Sequence, residues 1–354
     1  MKIAVLGSHE SVHVVKLVSE MLERGHEIHL ITMHPGHHEF EGNCTIYRLP
    51  FGPPWGYGLN LWHLRSYLRN VKPDLLNCHY ASGYGTLARL SGFSPNLLSV
   101  WGSDVYVFPF KSRINMRLIR ANLKQATKIA STSYVMKRRI ESIYKPNAKI
   151  AVTPFGVDTR QFCPVEIDSN ESVITIGTVK TLAPIYGIST LIEAFALLKS
   201  RSEMDIQLVL VGGGPQREEL MELARNLKVD THVKFIGAVP HEDVPTWIGK
   251  FDIFAALSVS ESFGVAVLEA SACGKPVVVS DADGFQEIVT DGVTGYIVPR
   301  NNPKIAAERL ELLVNDRKLR EKLGKAGRSF VLDNYEWSEN ADKIERLYEE
   351  LCLK

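Results

Sequence analysis

Two doubly wound α/β domains, each built on a parallel sheet, are predicted from three observations. The chain opens β-α-β: Lys2–Gly7 is a short apolar run, Val12–Glu23 is helix-periodic with Gly25 to cap it, and Glu27–Thr32 is apolar again. That order is the opening of a doubly wound sheet. Short apolar runs then alternate with helical patterns, break off near Pro154 and restart at Val173. The length, 354 residues, also exceeds what one ordinary core holds.

In the first half, further strands are expected at Leu75–Cys78, Asn96–Val100, Lys128–Ala130 and Lys149–Val152, with helices between them. Strands alternating with helices imply a parallel sheet covered on both faces. Pro154 to Glu171, with Pro154, Gly156 and Pro164, reads as the linker. The second half repeats the architecture but not the sequence. Its strands are expected at Val173–Gly177, Gln207–Val211, Val233–Ile236, Phe251–Leu257 and Pro276–Ser280, with helices near 187–200 and 215–227. The expected domains are residues 1–155 and 172–335. Residues 336–354 form a charged amphipathic helix long enough to return to the first domain.

Composition narrows the class. Apolar and charged fractions of 45% and 23% are those of a soluble globular chain. Five cysteines form no C-x-x-C pair and leave one over, which points to reduced thiols and a cytoplasmic address. No signal peptide and no apolar run of membrane-spanning length are found. Residues 1–153 hold 19 Lys and Arg against 9 Asp and Glu; the remaining 201 hold 22 against 31. A basic half and an acidic half suggest two domains with different partners. The basic half lacks an aromatic-interleaved strand or other nucleic-acid motif, so no nucleic-acid partner is expected.

In folds of this kind ligands bind beyond the carboxyl ends of the strands. The richest such stretch is Glu261-Ser262-Phe263-Gly264-Val265-Ala266-Val267-Leu268-Glu269. Glu261 is expected in the loop off a strand tip, and Glu269 roughly two turns into a helix whose stripe is Val265, Leu268 and Ala272. If the intervening residues are helical, the two carboxylates lie ~12 Å apart along the axis. That spacing suits a two-part ligand but not a shared metal. Backbone N–H groups near Ser262, Phe263 and Gly264 sit at the helix start, where anions bind. A surface loop beside an unrelated helix carboxylate stays open as the alternative.

Other chemistries lack their residues. Gly7-Ser8-His9-Glu10 is not G-x-G-x-x-G, and Gly212-Gly213-Gly214-Pro215 carries Arg217 where the third glycine belongs. No P-loop, G-x-S-x-G elbow or His/Cys metal spacing is found. Asp281-Ala282-Asp283 reads as a turn, and His34, His37 and His38 flank Pro35-Gly36 in a loop.

Glu261 to Glu269 resembles the E-x-F-G-x-x-x-x-E element of retaining glycosyltransferases of family 4. Lys2–Gly7 with Arg24-Gly25-His26-Glu27, the Val211–Pro215 turn, Cys273–Val278 and Asp291–Tyr296 resemble further landmarks of that family, in the same order over most of the chain. The resemblance implies a GT-B fold, two Rossmann-like domains facing across a cleft, with the acceptor on the first and a nucleotide-sugar donor on the second. It implies that Glu269 holds ribose hydroxyls and that Glu261 contacts the donor sugar near the reacting carbon. Amides around Phe263, Gly264 and Val265 would hold sugar hydroxyls and phosphate, with Gly213 and Gly214 on the nucleotide side. No metal or other cofactor is required if protein donors stabilise the departing diphosphate.

This chain departs from the family where the cations usually stand. Lys180 is the candidate phosphate ligand, but the second basic position carries Ile185 or Tyr186. Trp101-Gly102-Ser103-Asp104 stands where many relatives have H-G-x-D. Gly102 still fits the donor side, and Asp104 and His79 are catalytic candidates beside the acceptor; Ser8, His9 and His13 are acceptor-side candidates.

Arg113, Arg117, Arg120, Lys124 and Lys128 recur at spacings of 4, 3, 4 and 4, opposite Ile114, Leu118 and Leu123. A solvated helix face and docking on an anionic membrane surface both stay open. The resulting expectation is a retaining, metal-independent glycosyltransferase at the inner face of a membrane. It would move a hexose or N-acetylhexosamine from a nucleoside diphosphate sugar, uridine-linked, to a glycan or lipid-linked acceptor in polysaccharide or glycoconjugate synthesis. A nucleotide-sugar epimerase or hydrolase and a non-catalytic donor-binding subunit are the alternatives.

Overall fold

A computed structural model describes residues 1–146, 150–165 and 173–353. It separates into two compact units, Met1–Phe155 with Ser338–Lys354, and Gly156–Trp337.

The first unit is a parallel sheet of β1 (Lys2–Leu6), β2 (Glu27–Thr32), β3 (Cys44–Arg48), β4 (Leu75–His79), β5 (Asn96–Val100), β6 (Lys128–Ser131) and β7 (Ala151–Val152). The order is β3-β2-β1-β4-β5-β6-β7. β1, β4 and β5 are almost wholly buried, as a strand covered on both faces must be. β3 has three of its five residues exposed. Its Cys-Thr-Ile-Tyr-Arg sequence carries no apolar run, which is why it escapes a periodicity reading. Lys149, expected to start the last strand of this half, lies outside the described residues, as do residues 166–171 of the expected linker.

Helix Trp337–Cys352 lies against the first unit, where Asn77 Nδ2 donates to Tyr348 Oη at 2.5 Å. The Arg24 guanidinium joins Asp342 and Glu345, each at 2.6 Å, and His26 Nε2 lies 2.7 Å from the same Glu345. Both contacts bind a segment more than 250 residues away in sequence.

In the second unit β8 (Val173–Val179), β9 (Asp205–Val211), β10 (Val233–Gly237), β11 (Ile253–Ala256), β12 (Val277–Ser280) and β13 (Gly295–Val298) pair in parallel in the order β10-β9-β8-β11-β12-β13. Gly177 in β8 leaves space for a neighbouring ring: a Cβ there would stand 2.3 Å from the side chain of Phe251. β13 is a four-residue edge strand where the sequence offers only the family landmark Asp291–Tyr296 and no strand is expected.

Each sheet reverses its direction of growth once, between β1 and β4 and between β8 and β11. Connections leaving the two strands at such a point diverge to opposite faces, so a crevice opens at their carboxyl ends. Among the described residues no helix is long and apolar enough to cross a membrane.

Candidate functional site

In the second unit the reversal lies between Lys180, just past β8, and Glu261, five residues past β11. Lys180 Nζ donates to Glu261 Oε2 at 2.6 Å, with side-chain exposures of 20% and 12%. The same ammonium sits 4.4 Å over the Tyr186 ring. Tyr186, at the position where the family carries a second cation, thus supports the first one. Another cation reaches this loop: Arg300, just past β13, donates from its guanidinium to Val259 O at 3.3 Å. Asp281 at 2.9 Å and Asp283 at 3.6 Å neutralise it, so Asp281-Ala282-Asp283 anchors an arginine.

Glycines bring the backbones together. Leu182 N–H donates to Gly213 O at 2.9 Å, and a Cβ on Gly212, whose φ is +142°, would stand 2.0 Å from Lys180 O. A Cβ on Gly214 would stand 2.4 Å from Leu182 O. The glycine turn therefore presses directly on the segment that carries Lys180. Gly264 has φ +106° and caps the helix Val265–Ala272; a Cβ there would stand 2.8 Å from the Phe285 ring. Gly284 N–H in turn donates to Glu261 O at 2.9 Å. Phe263 is buried beside Tyr335, with ring centroids 5.7 Å apart.

The expected helical run from Glu261 to Glu269 needs correction. The helix starts only at Val265, so Glu269 is its fifth residue, little more than one turn in. Val267 to Ala272 are all buried, so this helix is a core element without a striped face. Glu269 is 6% exposed, and its Oε1 accepts from His241 Nε2 at 3.0 Å. His241, past the tip of β10 and 5.7 Å from the Phe162 ring, is not among the residues that the sequence singles out. Its position after a strand was the signal that would have found it.

The first unit holds the remaining candidates at its own reversal. Asp104 is 1% exposed and accepts from the N–H groups of Ala81 at 2.7 Å and Gly102 at 2.8 Å, and more distantly from Trp101. Burial pushes this carboxyl above its ordinary range against the pull of those donors. Expected beside an acceptor hydroxyl, Asp104 instead ties the loops after β4 and β5 together. Gly102, expected with the donor, is in the first unit; its N–H is one of these donors and its φ is +138°.

His79, the last residue of β4, is 1% exposed and packs 4.6 Å from the Trp101 ring. Neither ring nitrogen has a hydrogen-bond partner among the described residues, and burial lowers its pKa to about 3. It is a neutral imidazole at any ordinary pH. His13 stacks on Phe155 at 4.0 Å and meets Trp101 edge-on. His9 is buried, with Nε2 2.9 Å from His38 O and its ring stacked on Phe40.

Ser8 lines a cavity of about 540 Å³ together with Glu10, His34, Tyr57, Ser82 and Ser103, among others. Its rim is rich in hydroxyls and carries no Lys or Arg. His34, whose loop raised a metal question, has Nδ1 2.7 Å from Tyr84 Oη.

The basic helix spans Arg113–Gln125, with Arg113, Arg117, Arg120 and Lys124 exposed. Lys128 is not on it: it opens β6 and pairs with Glu350 at 3.4 Å. Ile114, expected on the buried side, is 68% exposed, because it stands in the first helical turn beyond the reach of the core. Arg120 Nε donates to Ile143 O at 3.0 Å.

The profile described as glycosyl transferases group 1 matches residues 160–330, and the one described as glycosyl transferase 4-like matches residues 2–133. A GDP-mannose-dependent alpha-(1-6)-phosphatidylinositol monomannoside mannosyltransferase of Mycolicibacterium smegmatis is 31% identical over 74% of this chain and 72% of its own length. The N-acetyl-alpha-D-glucosaminyl L-malate synthase of Bacillus anthracis is 25% identical over 94% of this chain and 91% of its own. Among solved structures, Anabaena HepE in complex with UDP and glucose superposes with a TM-score of 0.84 at 18% identity, covering 99% of this chain and 100% of that one.

Proposed function

The chain belongs to the group 1 glycosyl transferases, and from that premise we propose that it transfers a hexose or N-acetylhexosamine from a UDP-sugar to a glycan or lipid-linked acceptor, with retention of anomeric configuration. Its two parallel-sheet units are those of the GT-B fold.

The observation that carries the reading is the Lys180–Glu261 pair across the sheet reversal. As the bond from sugar to diphosphate breaks, positive charge grows on the anomeric carbon and negative charge on the departing oxygen. A carboxylate and an ammonium, paired at 2.6 Å before a donor enters, supply one partner for each. N–H groups at the start of helix Val265–Ala272 add positive potential on the phosphate side. Glu269, oriented by His241, is the proposed acceptor of the ribose hydroxyl protons. These protein donors are proposed to serve in place of a metal ion.

Uridine is supported by the UDP complex of the Anabaena neighbour, and a lipid-linked acceptor by the name of the mycobacterial relative. The latter relative is named GDP-mannose-dependent, so the donor base is the first thing to test. We further propose work at the inner face of a membrane, supported by the exposed cations Arg113, Arg117, Arg120 and Lys124.

The test is nucleotide release from a panel of uridine, guanosine and adenosine diphosphate sugars without acceptor, with and without chelator, for wild type and Glu261→Ala. Chelator-resistant release from the uridine donor alone, lost in the variant, is the expected result. Release only from a guanosine donor, or only with added divalent metal, overturns the corresponding part. Donor binding by calorimetry with no turnover on any acceptor would favour a binding subunit.

A further inference from the structure

We infer that the first unit docks on an anionic bilayer through the strand-tip end of its helical layer, seating aromatic side chains at the lipid interface beside the hydroxyl-lined cavity. This rests on the lipid-linked acceptor proposed above.

The topology places the groups together. The connections β3→β4, β4→β5 and β5→β6 all step in one direction across the sheet, so right-handed crossovers lay helices Leu61–Val71, Gly83–Ser91 and Arg113–Gln125 side by side on one face. Arg65 donates to Leu90 O at 2.7 Å and to Ser91 O at 3.2 Å, and Arg89 to Asn122 Oδ1 at 2.8 Å, which fixes the three as neighbours. All three helices begin at the carboxyl ends of the strands. Their first turns therefore share one edge with the cavity, which Tyr57, Gly83 and Ser103 help to line.

That edge exposes what a soluble surface normally covers. Trp55 is 78% exposed, Trp62 74%, Leu59 56% and Phe51 44%. Trp55 and Leu59 stand one turn apart about the Gly56–Leu59 helix, where Leu59 N–H donates to Trp55 O at 3.1 Å, and Trp62 opens the Leu61–Val71 helix just after Asn60. In the β5→β6 connection, Phe110 is 54% and Ile114 68% exposed, beside Arg113 and Arg117. Arg139 covers Phe110 at 4.4 Å. Single exposed apolar residues are unremarkable, but clustered ones rimmed by charge mark an interaction surface.

Charge selects the occupant. From Cys44 to Ile140 the chain holds 14 Lys and Arg against two acids, Asp74 and Asp104. Asp104 is buried among backbone donors, and Asp74 precedes β4 at the opposite edge, where Lys2 N–H donates to it. Glu10 is the carboxylate that the cavity itself presents. A second copy of this chain would set like charges against each other across a two-fold contact. An anionic lipid surface neutralises the arginines while tryptophan, apolar with one polar edge, takes the headgroup level. The cavity then opens beside the headgroups that a lipid-linked acceptor carries.

The experiment is flotation of the full chain with vesicles of phosphatidylcholine alone or with about one third phosphatidylglycerol, for wild type, Trp55→Ala/Trp62→Ala and Arg113→Ala/Arg117→Ala. Gel filtration, melting temperature and nucleotide release from the soluble donor are followed in parallel. Wild type is expected to float with the anionic vesicles only. The arginine pair should weaken this about 30-fold and the tryptophan pair at least about tenfold, with unchanged melting and unchanged donor release. Wild-type binding that ignores lipid charge, or no binding at all, overturns the proposal. So does a tryptophan variant that floats like wild type, or a wild-type dimer that the variant dissolves. Donor release separates the two levels: its absence in wild type strikes the proposed transfer, while its presence without flotation strikes only the docking.

Discussion

Replacing His79 by phenylalanine should remove a defined part of the protein's acid sensitivity. His79 is wholly buried with a folded pKa of about 3, whereas the unfolded side chain titrates near 6.5. Because the folded value is depressed, the unfolded chain binds a proton that the folded chain refuses between those two pH values. Stability therefore falls as pH drops below 6.5 and stops falling, for this group, near pH 3. The slope is about 1.4 kcal/mol per pH unit, so moving from pH 7 to pH 5 costs about 2 kcal/mol. For a domain of this size that is about 4–8 °C in melting temperature. Other groups also titrate, so the assay is the difference between wild type and His79→Phe, melted at both pH values. Phenylalanine preserves a ring against Trp101, now 4.6 Å away. The variant should lose about 2 kcal/mol less than wild type over that interval. Equal losses in the two proteins would refute a buried, neutral His79 and return it to the candidates for proton transfer.

Three further outcomes concern the donor side. Lys180→Ala should lower turnover about 10²–10³-fold while leaving melting nearly unchanged, since its partner Glu261 stays partly solvated; steady-state kinetics check both. His241→Ala frees one oxygen of the 6%-exposed Glu269 from its hydrogen bond and should weaken donor binding by about tenfold in calorimetry, with His241→Gln restoring much of it. Gly264→Ala combines a φ of +106° with a Cβ 2.8 Å from the Phe285 ring, and should cost about 2–3 kcal/mol in urea denaturation.

The architecture was legible because buried parallel strands announce themselves as short apolar runs. Lys2–Leu6, Glu27–Thr32 and Asn96–Val100 lie where the pattern puts them. Edge strands announce themselves unevenly. β7 and β10 are expected from Lys149–Val152 and Val233–Ile236, whereas β3 is mostly exposed and carries no apolar run, and β13 is only four residues long and half-buried. The helix starts at Val265, later than the spacing suggests, for a related reason. Spacing between Glu261 and Glu269 carries no mark of where helical dihedrals begin; that is set by Gly264, whose left-handed φ belongs to the cap. Ile114 and Lys128 show the same limit at helix ends, where periodicity runs on past the residues that the core can reach.

The two strand-tip regions also differ in what a sequence discloses, and the difference is physical. In the second unit the glycine turn, Lys180 and Glu261 depend on close backbone approach and on charge, and both leave local signatures. In the first unit the cavity is assembled from single hydroxyls and rings, Ser8, His34, Tyr57, Ser82 and Ser103, scattered over nearly 100 residues. No spacing joins them; the sheet order does. Recognition of a diphosphate needs fixed amides and a cation, which a fold can supply at one turn. Recognition of a hydroxyl-bearing acceptor needs several weak polar contacts converging from different strands. It follows that changing Ser82 or Tyr57 should alter acceptor choice while sparing nucleotide release, whereas changing Lys180 should impair both.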